Sequence, residues 1–210
     1  MKTLKESGPL MMKWIGITGG IATGKSTVTQ KLRALGYDVL DADEVSHQVT
    51  GPGGAALPEI FKTFGDQVKT PEGGLDRKAL AALVFGQEEA RRQLESIIHP
   101  LVGRRVAAER LRLEEQGKSV AFYDVPLLYE KKMEDHFDEV IVVATDEDLQ
   151  LQRLMKRNSL TEPEAKARLQ AQIPIREKAR RTKYVIHNTK GPDFLETEIL
   201  RILRELKLIN

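Results

Sequence analysis

The chain has 210 residues, with 33 basic against 31 acidic side chains, a net charge of +2 and no cysteine. Charges this nearly balanced supply no bulk field favouring nucleic acid or a membrane surface, and the missing thiols exclude disulfides and thiolate metal sites and fit a reducing compartment. No apolar run approaches the roughly 20 residues that a membrane-spanning helix needs. Residues 1–11 are polar and lack the apolar core of a secretory signal. They read as a disordered extension or an alternative start, and residues 12–210 as one cytoplasmic domain.

The first predicted element is Trp14-Ile15-Gly16-Ile17-Thr18, short, mostly apolar and β-prone, as a buried parallel strand should be. Gly19-Gly20-Ile21-Ala22-Thr23-Gly24-Lys25-Ser26 follows at once and matches the phosphate-binding pattern G-x-x-x-x-G-K-[ST]. Next comes a helix with Val28, Leu32 and Leu35 on one face and Gly36 as its stop. A chance match in a glycine-rich turn would have no reason to sit between such a strand and such a helix. The pattern therefore predicts that Gly20, Ile21, Ala22, Thr23, Gly24, Lys25, Ser26 and Thr27 bind a nucleoside triphosphate. Glycines let backbone N–H groups converge on phosphate, and the helix N-terminus adds partial positive charge. Lys25 is the mobile cation for the terminal phosphates, and the Ser26 hydroxyl can ligate Mg²⁺.

A second short strand over 37–40 ends in Asp41-Ala42-Asp43, where open α/β sheets place their ligands. Asp43 can cap a helix starting near Glu44, and Asp41 can be a plain turn residue. Facing a loop that holds a γ-phosphate, one of the pair reads instead as a catalytic base or metal-linked carboxylate. Residues 45–116 show no buried strand, only helical segments broken by Gly51-Pro52-Gly53-Gly54 and Pro71-Glu72-Gly73-Gly74. Asp76 is the predicted N-cap of a helix over 77–85. Helices over 88–98 and 101–116 are predicted as separate, because the residue before Pro100 avoids the α region. This insertion is either a substrate-binding region or a packing decoration. Arg77 and His99 accordingly read as substrate contacts or structural anchors.

Ser119 to Asp124 is another buried-strand pattern, with Asp124 placed to reach a Mg²⁺ shell or to serve as a turn residue. The β-branched run 139–144 is the clearest strand of the chain. Thr145 is the expected cap of the next helix, on which Arg153 and Arg157 share a face. Thr161-Glu162-Pro163-Glu164 spells a capping box for a helix reaching Gln172. Residues 146–183 read as an arginine-rich lid rather than a solvated basic face, because phosphoryl transfer needs arginine clamps. A last strand over 184–188 precedes an amphipathic helix over 193–208, striped by Phe194, Leu195, Ile199, Ile202, Leu203 and Leu206. Five strands alternating with helices predict an α/β fold with a mostly parallel sheet covered on both faces. Its core is expected over 12–44 and 117–210, with the helical insertion over 45–116.

With these residues in view, the sequence resembles the dephospho-coenzyme A kinase family from Met12 to the final helix. The resemblance rests on the run from Ile17 to Thr27, on Asp41-Ala42-Asp43, and on Leu75-Asp76-Arg77 with Leu80 and Phe85. It continues in Ile98-His99-Pro100-Leu101-Val102, Val125-Pro126-Leu127-Leu128-Tyr129-Glu130 and Gln152-Arg153-Leu154-Met155-Lys156-Arg157. It implies a phosphate-loop NTPase fold and phosphorylation of the ribose 3′-hydroxyl of dephospho-coenzyme A by ATP and Mg²⁺, the last step of coenzyme A synthesis. By the same resemblance Asp43 accepts the hydroxyl proton, Lys25 and the loop amides hold the β- and γ-phosphates, and Arg153 and Arg157 close over the transferring group. Arg77, His99 and Leu127 shape the substrate side, while Ser26 and Asp124 serve the metal. Two departures stand out. Ala22 occupies a position where many members carry glycine, and Lys183 and His187 replace aspartates around Val185-Ile186, inverting charge near the expected adenine end.

A nucleoside monophosphate kinase is the nearest competing enzyme, and the long insertion with its His-Pro step argues against it. A GTPase switch needs Asp-x-x-Gly after a strand and Asn-Lys-x-Asp for guanine, and neither occurs. The expected partner is thus a small-molecule acceptor, with no nucleic acid or membrane.

Overall fold

The computed structural model describes residues 12–210, and the predicted N-terminal extension lies outside them. The elements run β1 (Lys13–Gly19), α1 (Lys25–Ala34), β2 (Val39–Asp41), α2 (Ala42–Val49), α3 (Leu57–Phe64), α4 (Arg77–Val84) and α5 (Glu88–Glu115). They continue with β3 (Val120–Asp124), β4 (Glu139–Ala144), α6 (Glu147–Asn158), α7 (Glu162–Gln170), α8 (Ile175–Arg180), β5 (Tyr184–His187) and α9 (Pro192–Glu205). The chain divides into two compact units, a sheet unit running to Val39 and again from Gln116, and a helical unit Leu40–Glu115.

In the sheet unit the strand order is β2-β3-β1-β4-β5. The central strand β1 pairs parallel with β3 and β4, with Ile17 opposite both Asp124 and Ile141. Successive side chains of a strand point to opposite faces, and both faces of β1 are buried. Ile15 and Ile17 join Val28 and Leu32 of α1, Phe122 of β3, Ile141 and Val143 of β4, and Leu195, Ile199, Ile202 and Leu203 of α9 in one apolar core. On the opposite face Trp14 lies against Tyr123, and Tyr123 against Phe137. Gly16 is required there, because a Cβ would come within 2.8 Å of Leu128 and 3.0 Å of Phe137. Gly36, with φ 89°, ends α1 as its sequence position suggests.

The helical unit has its own core of Ala56, Ile60, Phe64, Val68 and Leu80. Asp76 caps α4, accepting from the N–H groups of Lys78 and Ala79 at 3.0 and 2.9 Å. The expected break at His99-Pro100 is absent: α5 runs unbroken from Glu88 to Glu115 with Pro100 inside it. Leu94, Ile97, Ile98 and Leu101 all pack on the helical unit's core, and their spacing is one helical stripe that crosses the proline. The shared anchorage on both sides outweighs the one hydrogen bond that proline removes.

Thr145 is also not the cap of α6. Asp146 holds that position without a side-chain bond, while Thr145 is buried and its hydroxyl donates to the Asn188 carbonyl at 2.8 Å. The capping box at α7 does form, with the Thr161 N–H donating to Glu164 at 2.8 Å. Within the expected lid, the basic run from Arg176 to Lys183 includes most of α8, whose Lys178 is fully buried.

Candidate active site

The loop between β1 and α1 carries its chemistry on backbone. Gly24 sits at φ 89°, and a Cβ there would lie 2.1 Å from the Asn188 amide nitrogen, so both conformation and space demand glycine. Its carbonyl accepts from Thr27 and Val28 at 3.0 and 3.3 Å, which starts α1. The N–H groups of Lys25 and Ser26 precede these first bonds and face out of the helix end, the anion-binding position. No acidic residue lies in the first turn to oppose an anion. Lys25 Nζ donates to the Asp124 carboxylate; Asp124 is 1% exposed and Lys25 17%. The predicted phosphate lysine and the predicted metal carboxylate are therefore partners here.

Side chains far along the sequence fasten this loop. Asn188 Nδ2 donates to the Thr23 carbonyl at 2.8 Å. Gln150 Nε2 donates to the Ile21 carbonyl at 2.6 Å, and the Ile21 N–H donates to Gln172 Oε1 at 2.9 Å. Thr23 closes the turn with its hydroxyl on the Gly20 carbonyl at 2.9 Å. Ala22 has φ 60°, a left-handed conformation in which alanine is strained and glycine is not, so its departure from glycine has a conformational cost. Arg153 Nη1 donates to the Asn188 carbonyl at 3.1 Å, on the residue that holds Thr23. Arg157 is exposed, its Nε on Asn158 Oδ1 at 2.9 Å. Of the two expected clamps, one is tied to the loop's support and the other stands at the open end of α6. Ser26 is exposed at the start of α1, and Leu127 is half-buried after β3.

In the helical unit the two strand-end acids divide their labour, and the expected cap is corrected. Asp41, not Asp43, caps α2, accepting from the N–H groups of Asp43 and Glu44 at 2.8 and 3.1 Å. The helix α2 begins at Ala42, two residues before the expected start near Glu44, so Asp43 is inside the first turn, exposed and not the cap. Arg77 holds the other end of the same helix: its Nη2 reaches Thr50 Oγ1 at 2.9 Å and the Thr50 carbonyl at 3.4 Å. A cation there also complements the helix dipole. His99 lies exposed midway along α5.

Lys183 does not sit at the loop end of the sheet. Tyr184 pairs with Ile141 and His187 with Ala144, so Lys183 precedes the amino end of β5, 3.4 Å from Glu139 at the start of β4. Its charge inversion is remote from the phosphate loop, whereas His187 and Asn188 are at the carboxyl end.

The sequence matches the family profile of dephospho-CoA kinase over residues 13–193. The chain belongs to the dephospho-CoA kinase family. It is 49% identical over 196 residues to the dephospho-CoA kinase of Anaeromyxobacter dehalogenans, covering 93% of each chain. A solved structure from Thermus thermophilus is 37% identical with a TM-score of 0.80, over 93% of this chain and 98% of that one. The dephospho-CoA kinase of Campylobacter jejuni is 31% identical with a TM-score of 0.71, at the same coverage.

In this member of the dephospho-CoA kinase family, Gln150, Gln172, Lys178 and Asn188 were not singled out by sequence reasoning. For Asn188 a signal existed, its place at the carboxyl end of a parallel strand, where ligand sites gather. The glutamines and the buried lysine carry no such mark, because their partners are more than 40 residues away.

Proposed function

We propose that the chain transfers the γ-phosphoryl group of ATP to the ribose 3′-hydroxyl of dephospho-coenzyme A, yielding coenzyme A and ADP. The observation that carries this reading is the phosphate loop, with Gly24 locked against Asn188 and Lys25 paired to buried Asp124, in a chain of the dephospho-CoA kinase family. The amides from Gly20 to Thr27 cradle the phosphates. Lys25 exchanges Asp124 for the β- and γ-phosphates as nucleotide enters, which frees that carboxylate.

Ser26 and Asp124 offer only oxygen donors, the hard set that Mg²⁺ prefers, and two protein oxygens suffice for an ion that keeps waters and phosphates as its other ligands. Bound there, Mg²⁺ supplies charge neutralisation to the phosphate oxygens. Arg153 and Arg157 compensate negative charge on the transferring group, and Asp43 takes the proton from the 3′-hydroxyl. The helical unit Leu40–Glu115 is the coenzyme-binding region, in which Arg77 steadies the helix that carries Asp43. His99 and Leu127 complete the acceptor side. The acceptor is a small molecule, neither nucleic acid nor lipid, and the setting is cytoplasmic. Among the described residues no helix is long and apolar enough to cross a membrane.

A coupled assay with ATP and Mg²⁺, comparing dephospho-coenzyme A with nucleoside monophosphates, tests the assignment. Turnover confined to dephospho-coenzyme A and a 3′-phosphorylated product are expected. Faster turnover of a nucleoside monophosphate would overturn it.

A further inference from the structure

Lys178 of α8 is 0% exposed. Its ammonium donates to the Gly19 carbonyl at 3.2 Å and the Pro126 carbonyl at 3.4 Å, and lies 2.8 Å from Glu130 Oε1. Removing an ammonium from water is expensive, and an apolar side chain of similar length would fill the same space without that cost. The three acceptors explain why a cation stands there instead. Gly19 is the last residue of β1 and the first of the phosphate loop. Pro126 lies two residues after Asp124, and its carbonyl also accepts from Thr18 Oγ1 at 3.2 Å. Glu130 accepts at 3.1 Å from the N–H of Ile173, the neighbour of the Gln172 that takes the Ile21 N–H. One buried charge thus ties together the floor of the loop, the segment behind the buried carboxylate and the chain leaving α7.

We propose that Lys178 is a positioning residue for phosphoryl transfer, holding the phosphate loop and the segment after Asp124 in the register that lets Lys25, Ser26 and Asp124 act together. It touches no reacting atom. Its effect is on the placement of groups that do, and a displacement of about 1 Å in such groups is enough to cost about a hundredfold in rate. Lys178 differs in kind from Gln150, Gln172 and Asn188, because its charge also answers Glu130, whose Oε2 is buried without a hydrogen-bond partner among the described residues. Removing the lysine alone would strand that carboxylate, so its partner must be neutralised with it.

The inference rests on the transfer reaction proposed above, and the test keeps the two apart. Lys178→Met combined with Glu130→Gln removes the cation and its counter-charge while preserving volume. In the full-length protein this double variant is expected to melt within a few degrees of wild type. Its kcat for dephospho-coenzyme A should fall about ten- to a hundredfold, with the KM for that acceptor within about threefold, since the helical unit is untouched. If the double variant does not fold, Lys178→Gln with Glu130→Gln retains hydrogen-bonding capacity and is read by the same criteria. A kcat within twofold of wild type in a folded variant overturns the proposal. So does a fall in kcat matched by an equal rise in acceptor KM, which would mark a loss of binding rather than of register. An inactive wild-type protein would instead refute the transfer reading itself.

Discussion

Asp41 and Asp43 are two residues apart and do different work, and substitution separates them. Asp41 accepts two backbone N–H groups at the start of α2, so Asp41→Ala should lower stability by about 1 kcal/mol, whereas Asp41→Asn, an equally good cap, should leave melting unchanged. The Asp43 side chain takes no part in the cap, so Asp43→Asn should keep the melting temperature yet reduce turnover by about 10²–10⁴, toward the smaller end because a loose transition state asks little of its nucleophile. Thermal melting and saturating turnover on the three variants decide the matter, and a fully active Asp43→Asn enzyme sinks the base assignment. Lys25→Ala carries two losses. Turnover should drop by several orders of magnitude as the phosphates lose their cation, and stability should fall by about 3 kcal/mol because buried Asp124 loses its lysine counter-charge. Adding Asp124→Asn should restore the melting temperature but not the turnover, which a paired scan of both variants reads directly. The strand, the glycine turn and the helix start around the phosphate loop were legible because their pattern is local. The choice between the two acids was not, since it turns on where β2 releases the chain, and an element boundary moves by a residue or two on pairing geometry that no single position announces.

Among whole elements, α5 and α9 show what flanking structure adds to local preference. Pro100 lies within α5 and removes an N–H from its hydrogen-bond pattern. Pro100→Ala should therefore raise the melting temperature, by about 1 kcal/mol or more in stability, as long as α5 stays one helix. A lower melting temperature would mean that the proline relieves strain rather than imposing it. On α9, Glu198 is buried and receives both Nε and Nη2 of Arg201, while accepting the His187 N–H of β5 at 3.1 Å. The Arg201 hydrogen bonds, chiefly, hold the Glu198 carboxyl below its ordinary value despite its burial, with the His187 N–H adding to the effect. A carboxyl depressed on folding stabilises the protein above its unfolded value of about 4.3 and loses that contribution as pH falls through the folded one. Glu198→Gln should thus destabilise at pH 7 by about 1–2 kcal/mol, with the gap to wild type closing below about pH 4. An equal gap at both pH values would exclude the ionic origin. The strand over 139–144, the helix stop at Gly36 and the helix start at Asp76 were readable because each signal sits beside the element it bounds. Lys178 was lost inside a basic run, as charge composition predicts solvation and only three distant acceptors reverse it.

At the scale of the molecule, the parallel pairing and helix alternation follow from the strand pattern, and only the insertion interrupts it. The helical unit leaves the sheet unit after Val39 and returns at Gln116. On either side of it the sheet unit is closed by its own contacts. The Asp38 carbonyl accepts from Phe122 N–H at 2.9 Å, and the Asp38 carboxylate pairs with Lys118 at 2.7 Å. Replacing residues 41–115 by a short glycine-rich linker should accordingly leave a folded chain that still binds Mg²⁺-ATP but phosphorylates no coenzyme precursor. Circular dichroism, nucleotide titration and the coupled assay would show it, and an unfolded product would refute it. The clasp at Asp38 then acts as a socket. With Lys118 and Phe122 it holds the two ends of the insertion side by side, so closure of the sheet unit rests on contacts outside the inserted residues.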